Sequence, residues 1–190
     1  MNLEDKECIR RIILDQREKV DTCIRSEWDK NIFLKLINSE FYINANVIFT
    51  FVSFKSEVDT HQIIKYALQS NKTVYVPKIE SKERGIEIFK IDNLEELKIG
   101  YFGILEPQAS CQAVDSNNID LILLPGIAFD RLGGRVGYGK GFYDAFLRKM
   151  NKRVDKIALA YDFQILSKVP MNELDVKIDG IITNDQIIYN

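Results

Sequence analysis

The chain has 190 residues, of which 46% are hydrophobic and 28% charged, and its formal net charge is −2. At ~100 to 200 residues per domain, this length predicts one domain covering residues 1–190, with a core large enough to fold without disulfides or a structural metal. The apolar content excludes a mainly disordered chain. The near-neutral charge argues against a nucleic-acid partner, because such proteins usually carry a basic excess.

The cellular location is indicated by features that the sequence lacks. Cys8, Cys23 and Cys111 are odd in number and have no CxxC spacing, so neither a disulfide framework nor a zinc site is predicted, and a reducing compartment fits. The first residues mix acidic and basic side chains without the apolar run of a signal peptide. The longest apolar stretches, 47–52 and 119–124, fall far short of the ~20 residues that cross a bilayer. We therefore expect a cytoplasmic protein without a membrane partner, and we take it to be a monomer.

The N-terminal half of the chain predicts helices around an early buried strand. Apolar residues recur at helical spacing from Ile9 onward, and Ser26 stands three residues before Asp29 in the pattern of a capping box. The segment NVIFTFVS is rich in β-branched and aromatic residues, as a strand covered on both faces would be. The predicted elements are a helix at 3–19, a helix from Ser26, a strand at 46–53, a helix capped by Asp59 or Thr60, and a strand at 73–76 that Pro77 ends.

The C-terminal half alternates strands with helical segments, which is typical of an α/β fold. We predict a single domain of Rossmann-like type, with a largely parallel sheet flanked by helices. Ligands of such folds bind at the carboxyl ends of the strands, and a long glycine-rich segment leaves the best predicted strand at that end. The predicted elements are strands at 86–91, 119–124, 156–161 and 178–183, a short helical turn at 94–97, and a helix at 141–150.

Five of the ten glycines of the chain lie within twelve residues, GGRVGYGKGFYD at 133–144. Glycine permits positive φ and lets backbone N–H groups approach a ligand. Successive N–H groups ahead of a helix form a cradle for anions such as phosphate. Arg135 and Lys140 add positive charge. The segment therefore predicts phosphate binding, although a flexible connection with a few surface charges would have the same composition.

Two nucleotide-binding motifs match this segment incompletely. Gly134 to Lys140 satisfies the GxxxxGK of a P-loop, but Gly141 stands where the metal-binding hydroxyl belongs. A GxGxxG dinucleotide fingerprint needs a tight turn from strand to helix, whereas roughly fifteen residues separate Leu124 from the predicted helix. The segment therefore belongs to neither motif.

Carboxylates near the glycine-rich segment are candidate Mg²⁺ ligands, since a nucleotide-bound Mg²⁺ takes one or two of them besides phosphate and water. Asp144 lies in the first turn of the predicted helix, where a carboxylate also favours the helix dipole without binding metal. Asp175 precedes the last predicted strand and has no local pattern of its own. Both remain candidates.

Other charged residues have a structural and a functional interpretation. Lys6 and Arg10 are four residues apart and so lie on one helical face. They are either phosphate ligands or ordinary surface charges. Glu57 follows a buried strand, where it would bind a ligand edge rich in donors or lie exposed in a loop. His61 is the single histidine and falls in a predicted helix, which argues against a histidine-based triad or metal site.

One long segment is specific enough to indicate a family. The sequence LILLPGIAFDRLGGRVGYGKGFYD, residues 121–144, matches the pattern LPGxxFD followed by GRxGxGxG[YF]YD. Weaker matches in the expected order are Lys6 with Arg10, EVDT at 57–60, GILEP at 103–107 and the closing VPMNELDVKIDGIIT. Over nearly its whole length the chain thus resembles the 5-formyltetrahydrofolate cyclo-ligases, also called methenyltetrahydrofolate synthetases.

The resemblance implies an enzyme that uses ATP and Mg²⁺ to convert 5-formyltetrahydrofolate into 5,10-methenyltetrahydrofolate, with release of ADP and phosphate. It also implies that Lys140 and Arg135 assist phosphoryl transfer and that Asp144 and Asp175 bind Mg²⁺. Many members have a histidine before the second aspartate, where this chain has Leu174. The implied ATP ligands are Lys6, Arg10, Arg135, Val136, Gly137, Tyr138, Gly139, Lys140, Gly141, Phe142 and Tyr143. The implied folate contacts are Val52, Glu57, Tyr138, Gly139, Lys140, Gly141 and Phe142.

The mechanism that the resemblance implies fits the residues present. The formyl oxygen is a poor leaving group until ATP phosphorylates it; N10 then attacks the activated carbon, and phosphate departs. Such a transfer requires positioning and charge neutralisation more than a protein nucleophile. The alternative is a non-catalytic module that holds a nucleotide or a phosphorylated metabolite in the same glycine-rich segment.

Overall fold

A mixed sheet of eight strands runs through the described part of the chain, with helices on both faces. The computed structural model describes residues 5–81, 85–100, 103–108, 110–150 and 152–190, so the predicted helix start at residue 3 lies outside the described residues. None of the described helices has the length and apolar composition of a membrane span. The helices are α1 (Lys6–Lys19), α2 (Thr22–Ile37), α3 (Glu40–Asn44), α4 (His61–Gln69) and α5 (Phe142–Arg148). The strands are β1 (Val47–Thr50), β2 (Thr73–Ser81), β3 (Gly85–Ile91), β4 (Leu97–Ile99), β5 (Leu105–Pro107), β6 (Gln112–Ala113), β7 (Leu121–Leu124), β8 (Ala128–Asp130), β9 (Arg135–Val136), β10 (Asp155–Leu159), β11 (Ile165–Leu166), β12 (Gly180–Ile182) and β13 (Ile187–Tyr189).

The order of the strands in the large sheet is β13-β12-β10-β7-β1-β2-β3-β6. The strands from β12 to β2 pair in parallel. The antiparallel strands β13, β3 and β6 lie toward the two edges of the sheet. The predicted α/β fold, with a largely parallel sheet flanked by helices, is therefore confirmed.

Residues of β7 alternate between the two faces of the sheet, as the pleat of a strand requires. Leu121 and Leu123 pack in the cluster that α2 and α4 cover, whereas Ile122 and Leu124 pack in the cluster that α5 covers. All four side chains are fully buried. Burial on both faces explains why the sequence of this strand is continuously apolar.

The second helix begins before its predicted start. α2 starts at Thr22 rather than near Ser26. The carboxylate of Asp21 accepts hydrogen bonds from the backbone N–H groups of Cys23 and Ile24, at 2.8 and 3.4 Å. A side chain in this position satisfies N–H groups that the first helical turn leaves unpaired, so Asp21 is the cap of α2 and the predicted start was wrong.

Pro77 does not end β2, which continues to Ser81. β1 pairs with β2 only from Thr73 to Tyr75, so beyond that point β2 has β3 as its single neighbour among the described strands. A proline is tolerated on a strand with one open side, because that side needs no N–H donor. The predicted stop at Pro77 is therefore wrong.

The first helix packs against a small sheet that the sequence pattern did not predict. β8 pairs with β9 and with β11, and the β8–β9 unit leads into the glycine-rich segment. Ile9 and Ile13 of α1 are buried against Ala128 and Val136 of this sheet. This packing brings Arg10, on the same helix, to the glycine-rich segment.

Candidate functional site

The carboxyl ends of the central parallel strands form a cleft. Phe51 follows β1, Pro125 follows β7, and both line this cleft together with Leu159 at the end of β10. Arg17 of α1 and Glu57, from the loop between β1 and α4, complete its walls. Because α/β folds bind ligands at this edge of the sheet, the small cleft together with the loops around it is the candidate site.

The base of the glycine-rich segment is fixed by one buried carboxylate, that of Asp130, which is 2% exposed. Gly133 has a φ of +82°, and a Cβ there would lie 2.7 Å from the carbonyl oxygen of Ile178, so only glycine fits. Asp130 accepts hydrogen bonds at 2.8 to 2.9 Å from three backbone N–H groups, those of Leu132, Gly134 and Val169. The conformation of Gly133 and the hydrogen bonds to Asp130 together fix the backbone just before the tip of the segment, residues 137–141.

The tip is held on one side by Arg10 of α1. Nε of Arg10 donates to the carbonyl oxygen of Gly137 at 2.8 Å. Gly139 has a φ of +95°, and a Cβ there would lie 3.3 Å from Cζ of Arg10, so both the backbone conformation and the close approach favour glycine. The structure thus brings Arg10 and the glycine-rich segment together, as expected for two parts of one site.

The other predicted ligand residues, in the segment and at Val52, differ in exposure. Lys140 is exposed at the tip, and its ammonium has no hydrogen-bond or ion-pair partner within the described part of the chain. Phe142 and Tyr143 are half-buried in the first turn of α5. Val52 and Val136 are buried, at 4% and 0% exposure, and their side chains pack in the core. Their side chains are therefore not presented to a ligand.

Arg135 and Asp144 form a buried ion pair. Nη2 of Arg135 lies 2.9 Å from Oδ1 of Asp144, and the two side chains are 3% and 17% exposed. Nη1 of Arg135 donates to the carbonyl oxygen of Pro125 at 3.3 Å, whereas its buried Nε has no partner among the described residues. These contacts fix the guanidinium at the carboxyl end of β7.

A second ion pair joins α1 to the segment before β12. Nζ of Lys6 pairs with Oδ2 of Asp175, which also accepts a hydrogen bond from the backbone N–H of Asn172 at 2.7 Å. Burial raises the pKa of Asp175, but the hydrogen bonds from Lys6 and Asn172 outweigh it and hold the pKa below its ordinary value of 3.8. The backbone N–H of Val176 donates to Oδ1 of Asp144 at 3.1 Å. The structure therefore brings the two predicted metal ligands together.

Each of these two carboxylates keeps one oxygen free. Oδ2 of Asp144 and Oδ1 of Asp175 have no hydrogen-bond partner among the described residues. Mg²⁺ takes one or two carboxylates from a protein when phosphate and water complete its shell. In the ranges that the structure describes, no group of three or more His, Cys, Asp or Glu side chains is arranged for a metal. The residues thus fit a Mg²⁺ ion shared with a phosphate ligand rather than one enclosed by protein.

Three side chains link the tip to the opposite wall of the cleft. The hydroxyl of Tyr138 donates to Oε1 of Glu57, and Nη2 of Arg17 donates to that hydroxyl at 2.8 Å. The backbone N–H of Phe54 donates to Oε2 of Glu57 at 2.9 Å. Burial raises the pKa of Glu57, and the hydrogen bonds from Tyr138 and Phe54, with the charge of Arg17, oppose this rise without cancelling it.

Arg17 is the site residue that the sequence pattern did not indicate. It is 3% exposed, and its Nε donates to Oγ of Ser56 at 3.0 Å. The available signal was its spacing, since Arg17 and Arg10 are two helical turns apart on one face of α1. Basic residues at such spacing are common on exposed helices, so spacing alone does not show that Arg17 is buried in the site.

Ser53, His61 and Asp59 lie together but do not form a catalytic triad. Nδ1 of His61 lies 3.1 Å from Oγ of Ser53 and 3.0 Å from Oδ1 of Asp59. A triad needs the serine and the aspartate on opposite ring nitrogens, whereas here both approach the same nitrogen. Asp59 also accepts a hydrogen bond from the backbone N–H of His61 at 2.9 Å. The cluster therefore lies at the start of α4. Of the two predicted caps, Thr60 is the N-cap residue but its side chain makes no capping hydrogen bond, whereas the side chain of Asp59 accepts from the first N–H of the helix.

Comparison with families of known proteins gives one match over most of the chain. The model described as "5-formyltetrahydrofolate cyclo-ligase family" matches residues 2–184. The mitochondrial 5-formyltetrahydrofolate cyclo-ligase of Arabidopsis thaliana is 30% identical over 97% of this chain and 76% of its own length. The 5-formyltetrahydrofolate cyclo-ligase of Mus musculus is 30% identical over 80% of this chain and 79% of its own.

Solved structures give the same result for the fold. The 5,10-methenyltetrahydrofolate synthetase of Aquifex aeolicus has a TM-score of 0.86 at 27% identity, and the match covers 97% of this chain and 92% of that one. The synthetase of Mycoplasma pneumoniae has a TM-score of 0.75 at 26% identity, covering 95% and 99%. The family model, the curated relatives and the solved structures agree, and the chain belongs to the 5-formyltetrahydrofolate cyclo-ligase family of enzymes.

Proposed function

We propose that this chain converts 5-formyltetrahydrofolate into 5,10-methenyltetrahydrofolate within one domain of residues 1–190, with ATP as co-substrate and Mg²⁺ as cofactor. Family membership supports the folate reaction, since relatives that cover most of the chain are named 5-formyltetrahydrofolate cyclo-ligases. The observation that carries the ATP part is the convergence of Lys6, Arg10 and Arg135 on the glycine-rich segment and its two carboxylates.

In the proposed complex, the phosphates of ATP lie against the tip. The glycines at 137, 139 and 141 leave backbone N–H groups uncovered, and such groups ahead of a helix bind anions. Lys140 adds an ammonium that no described residue pairs, and Arg10 adds a guanidinium beside Gly137. Positive charge fixed in this way stabilises the charge that develops during phosphoryl transfer, which is the main contribution a protein makes to this step.

The proposed Mg²⁺ ligands are the free oxygens of Asp144 and Asp175. A bound Mg²⁺ ion supplies further neutralisation of phosphate charge. Arg135 and Lys6 lie against the other oxygen of each carboxylate. These two cations hold the carboxylates in place, and the free oxygens of Asp144 and Asp175 remain available to the ion.

Glu57 is the proposed acceptor for the donor-rich edge of the pterin ring. Its carboxylate lies in the wall of the cleft, between Tyr138 and the backbone of Phe54. Tyr138 and Phe142, from the glycine-rich segment and α5, are the aromatic side chains proposed to cover the faces of the ring. For Val52, whose side chain is buried, the proposed contact is made by the backbone at the end of β1.

The proposed reaction needs no nucleophile from the protein. The formyl oxygen attacks the γ-phosphorus, and the bond from that phosphorus to the bridging oxygen breaks, so ADP leaves. N10 then forms a bond to the activated carbon and loses its proton to solvent, while the carbon–oxygen bond breaks and phosphate departs. Glu57 binds the pterin, and this contact places the formyl group within reach of the phosphate at the tip.

The test is an assay with 5-formyltetrahydrofolate, ATP and Mg²⁺ that follows methenyl absorbance and ADP release together. We expect one methenyl product for each ADP, and no ADP release when the folate is left out. ADP release without methenyl product would contradict the folate assignment. Tight ATP binding with no turnover in the complete mixture would favour the non-catalytic binding module.

A further inference from the structure

A buried arginine that forms no direct ion pair with a described residue joins three parts of the cleft. Arg17 is 3% exposed, and in the described ranges its guanidinium forms no direct ion pair. Its donors reach two hydroxyl groups, Nε that of Ser56 at 3.0 Å and Nη2 that of Tyr138 at 2.8 Å. A buried charge held only by hydroxyl groups is costly unless an opposite charge lies close by.

Glu57 supplies the opposite charge through Tyr138. The Tyr138 hydroxyl accepts from the guanidinium of Arg17 and donates to Oε1 of Glu57. Because a guanidinium only donates and a carboxylate only accepts, this order fixes the direction of the hydroxyl proton toward Glu57. A hydrogen bond in which either the donor or the acceptor is ionised is stronger than a neutral one, and each of these two bonds has one ionised partner. The three side chains therefore act as a unit.

We propose that Arg17 is a positioning residue for folate binding, because it holds the Tyr138 hydroxyl against the carboxylate that receives the pterin. This inference rests on the proposed function, in which Glu57 is the pterin acceptor. The planar guanidinium reaches Ser56 and Tyr138 at the same time, a geometry that the single ammonium of a lysine does not reproduce. Arg17 thus acts on the substrate through two other residues and not by direct contact.

The test compares Arg17→Met, Tyr138→Phe and the double variant, with Arg11→Met on the exposed face of α1 as the matched control. The dissociation constant of 5-formyltetrahydrofolate is measured by titration without ATP, and KM is measured for both substrates. We expect each single variant to raise the folate dissociation constant and folate KM about tenfold, the effect of one charge-assisted hydrogen bond. The KM for ATP should change by about twofold or less, and the control should match the wild type. The double variant should bind 5-formyltetrahydrofolate no more weakly than the weaker-binding single variant, because Arg17 acts through Tyr138.

The pH dependence of folate binding gives a second readout. The groups that face Glu57 are Arg17 of α1, Tyr138 of the tip, Tyr143 of α5 and Tyr161 after β10, whose hydroxyl lies 3.4 Å from the carbonyl oxygen of Glu57. Burial raises the pKa of Glu57, and the charge of Arg17 opposes this rise. The acid limb of folate binding is the fall in folate affinity as the pH decreases. Arg17→Met should therefore move this limb to higher pH. A residue that only stabilised the fold would leave this limb in place.

Three results would overturn the inference. The first is a folded Arg17→Met protein with the wild-type folate dissociation constant and an unmoved acid limb. The second is a double variant whose loss of affinity is the product of the two single losses. If Arg17→Met does not fold, Tyr138→Phe decides alone, and unchanged folate affinity in that variant is the third. Failure of the wild type to bind 5-formyltetrahydrofolate would instead contradict the proposed function.

Discussion

Carboxylates at the two edges of the parallel sheet are satisfied in different ways. At the amino edge, Oδ2 of Asp120 accepts hydrogen bonds from the backbone N–H groups of Asn46 and Val47, both at 3.0 Å, and Oδ1 accepts one from a lysine at 3.3 Å. Near the carboxyl edge, Asp144 and Asp175 are each bound through one oxygen and keep the other free among the described residues. The same residue type therefore has both oxygens bound at one edge and keeps one oxygen free at the other.

The pKa does not distinguish the two kinds of carboxylate. Asp120 and Asp175 both have a pKa below the ordinary value, since in each case hydrogen bonds outweigh the effect of burial. The difference lies in how many oxygens of each carboxylate are used. Backbone N–H groups and a lysine bind both oxygens of Asp120, whereas Lys6 and the N–H of Asn172 both bind Oδ2 of Asp175 and leave Oδ1 unused among the described residues. An unused oxygen beside a glycine-rich segment is thus the more informative sign of a ligand site.

Replacing the unpaired cation at the tip is expected to have the largest effect. Lys140→Ala removes the ammonium that is proposed to meet the transferred phosphate, so kcat should fall by about 100-fold to 1,000-fold. The folate dissociation constant should stay within about twofold, because the charge is directed to phosphate. Steady-state kinetics and folate titration measure the two quantities. Lys149→Ala, an exposed lysine at the end of α5, is the control, and unchanged turnover in Lys140→Ala would remove this residue from the mechanism.

Matched substitutions at the two edges test the comparison directly. Asp144→Asn removes a carboxylate with a free oxygen, and kcat should fall by about 100-fold, since the charge of a proposed Mg²⁺ ligand is lost. The Mg²⁺ concentration for half-maximal activity should rise as well. Asp120→Asn should leave kcat within about twofold and lower the free energy of unfolding by about 1–2 kcal/mol, because the hydrogen bonds to Asn46 and Val47 lose an ionised acceptor. A large loss of kcat in Asp120→Asn would break the distinction between the edges.

At the wall of the cleft, the expected effect is on affinity rather than on rate. Glu57→Gln replaces one acceptor oxygen with an amide that donates, so it opposes the donor-rich edge of the pterin. The KM for 5-formyltetrahydrofolate should rise about tenfold, with kcat within about threefold. Normal folate affinity in this variant would show that Glu57 is not the acceptor.

The smallest expected effect is the contribution of Asp120 to acid stability. Burial raises the pKa of Asp120, but the N–H groups of Asn46 and Val47 and the ammonium of Lys152 lower it below 3.8 in the folded chain. A lowered pKa means that the ionised form stabilises the fold above the unfolded-state value, and that this stabilisation is lost as pH falls through the folded-state value. Between about pH 5 and about pH 3, the wild type should therefore lose more unfolding free energy than Asp120→Asn. Denaturant unfolding at several pH values measures this, and parallel curves for the two proteins would contradict it.

The fold was predictable where a pattern is local and repeated. Continuous apolar runs such as residues 121–124, alternating with helical spacing, are enough to indicate a parallel sheet covered on both faces. The strands β8, β9 and β11 have only two or three residues each, too few for any period to be visible. Pro77 misled the prediction because its effect depends on whether a neighbouring strand lies beside it, which is a property of the sheet and not of the sequence.

The candidate site also has a part that the sequence indicates and a part that it does not. The glycine-rich segment could be proposed as a phosphate site from the sequence, because glycine density, Lys140 and the following helix stand in one short segment. The contacts of Arg17 could not be predicted, since they join residues that are far apart in sequence: Tyr138 lies 121 residues from Arg17 and 81 from Glu57. Long-range hydrogen bonds of this kind depend on how α1 packs, and nothing in the spacing of the helix specifies the partner.

The buried carboxylate of Asp130 limits the entropy that ligand binding must remove. Restricting the backbone of one residue to a single conformation costs about 1–2 kcal/mol, so ordering all of residues 133–144 on binding would offset much of the affinity for the proposed ATP ligand. The hydrogen bonds to Asp130 already fix the start of this segment, and α5 fixes its end. A ligand therefore has at most residues 137–141 left to order, and Arg10 and Glu57 already hold Gly137 and Tyr138. Less of the free energy of the ligand's contacts is then lost as conformational entropy.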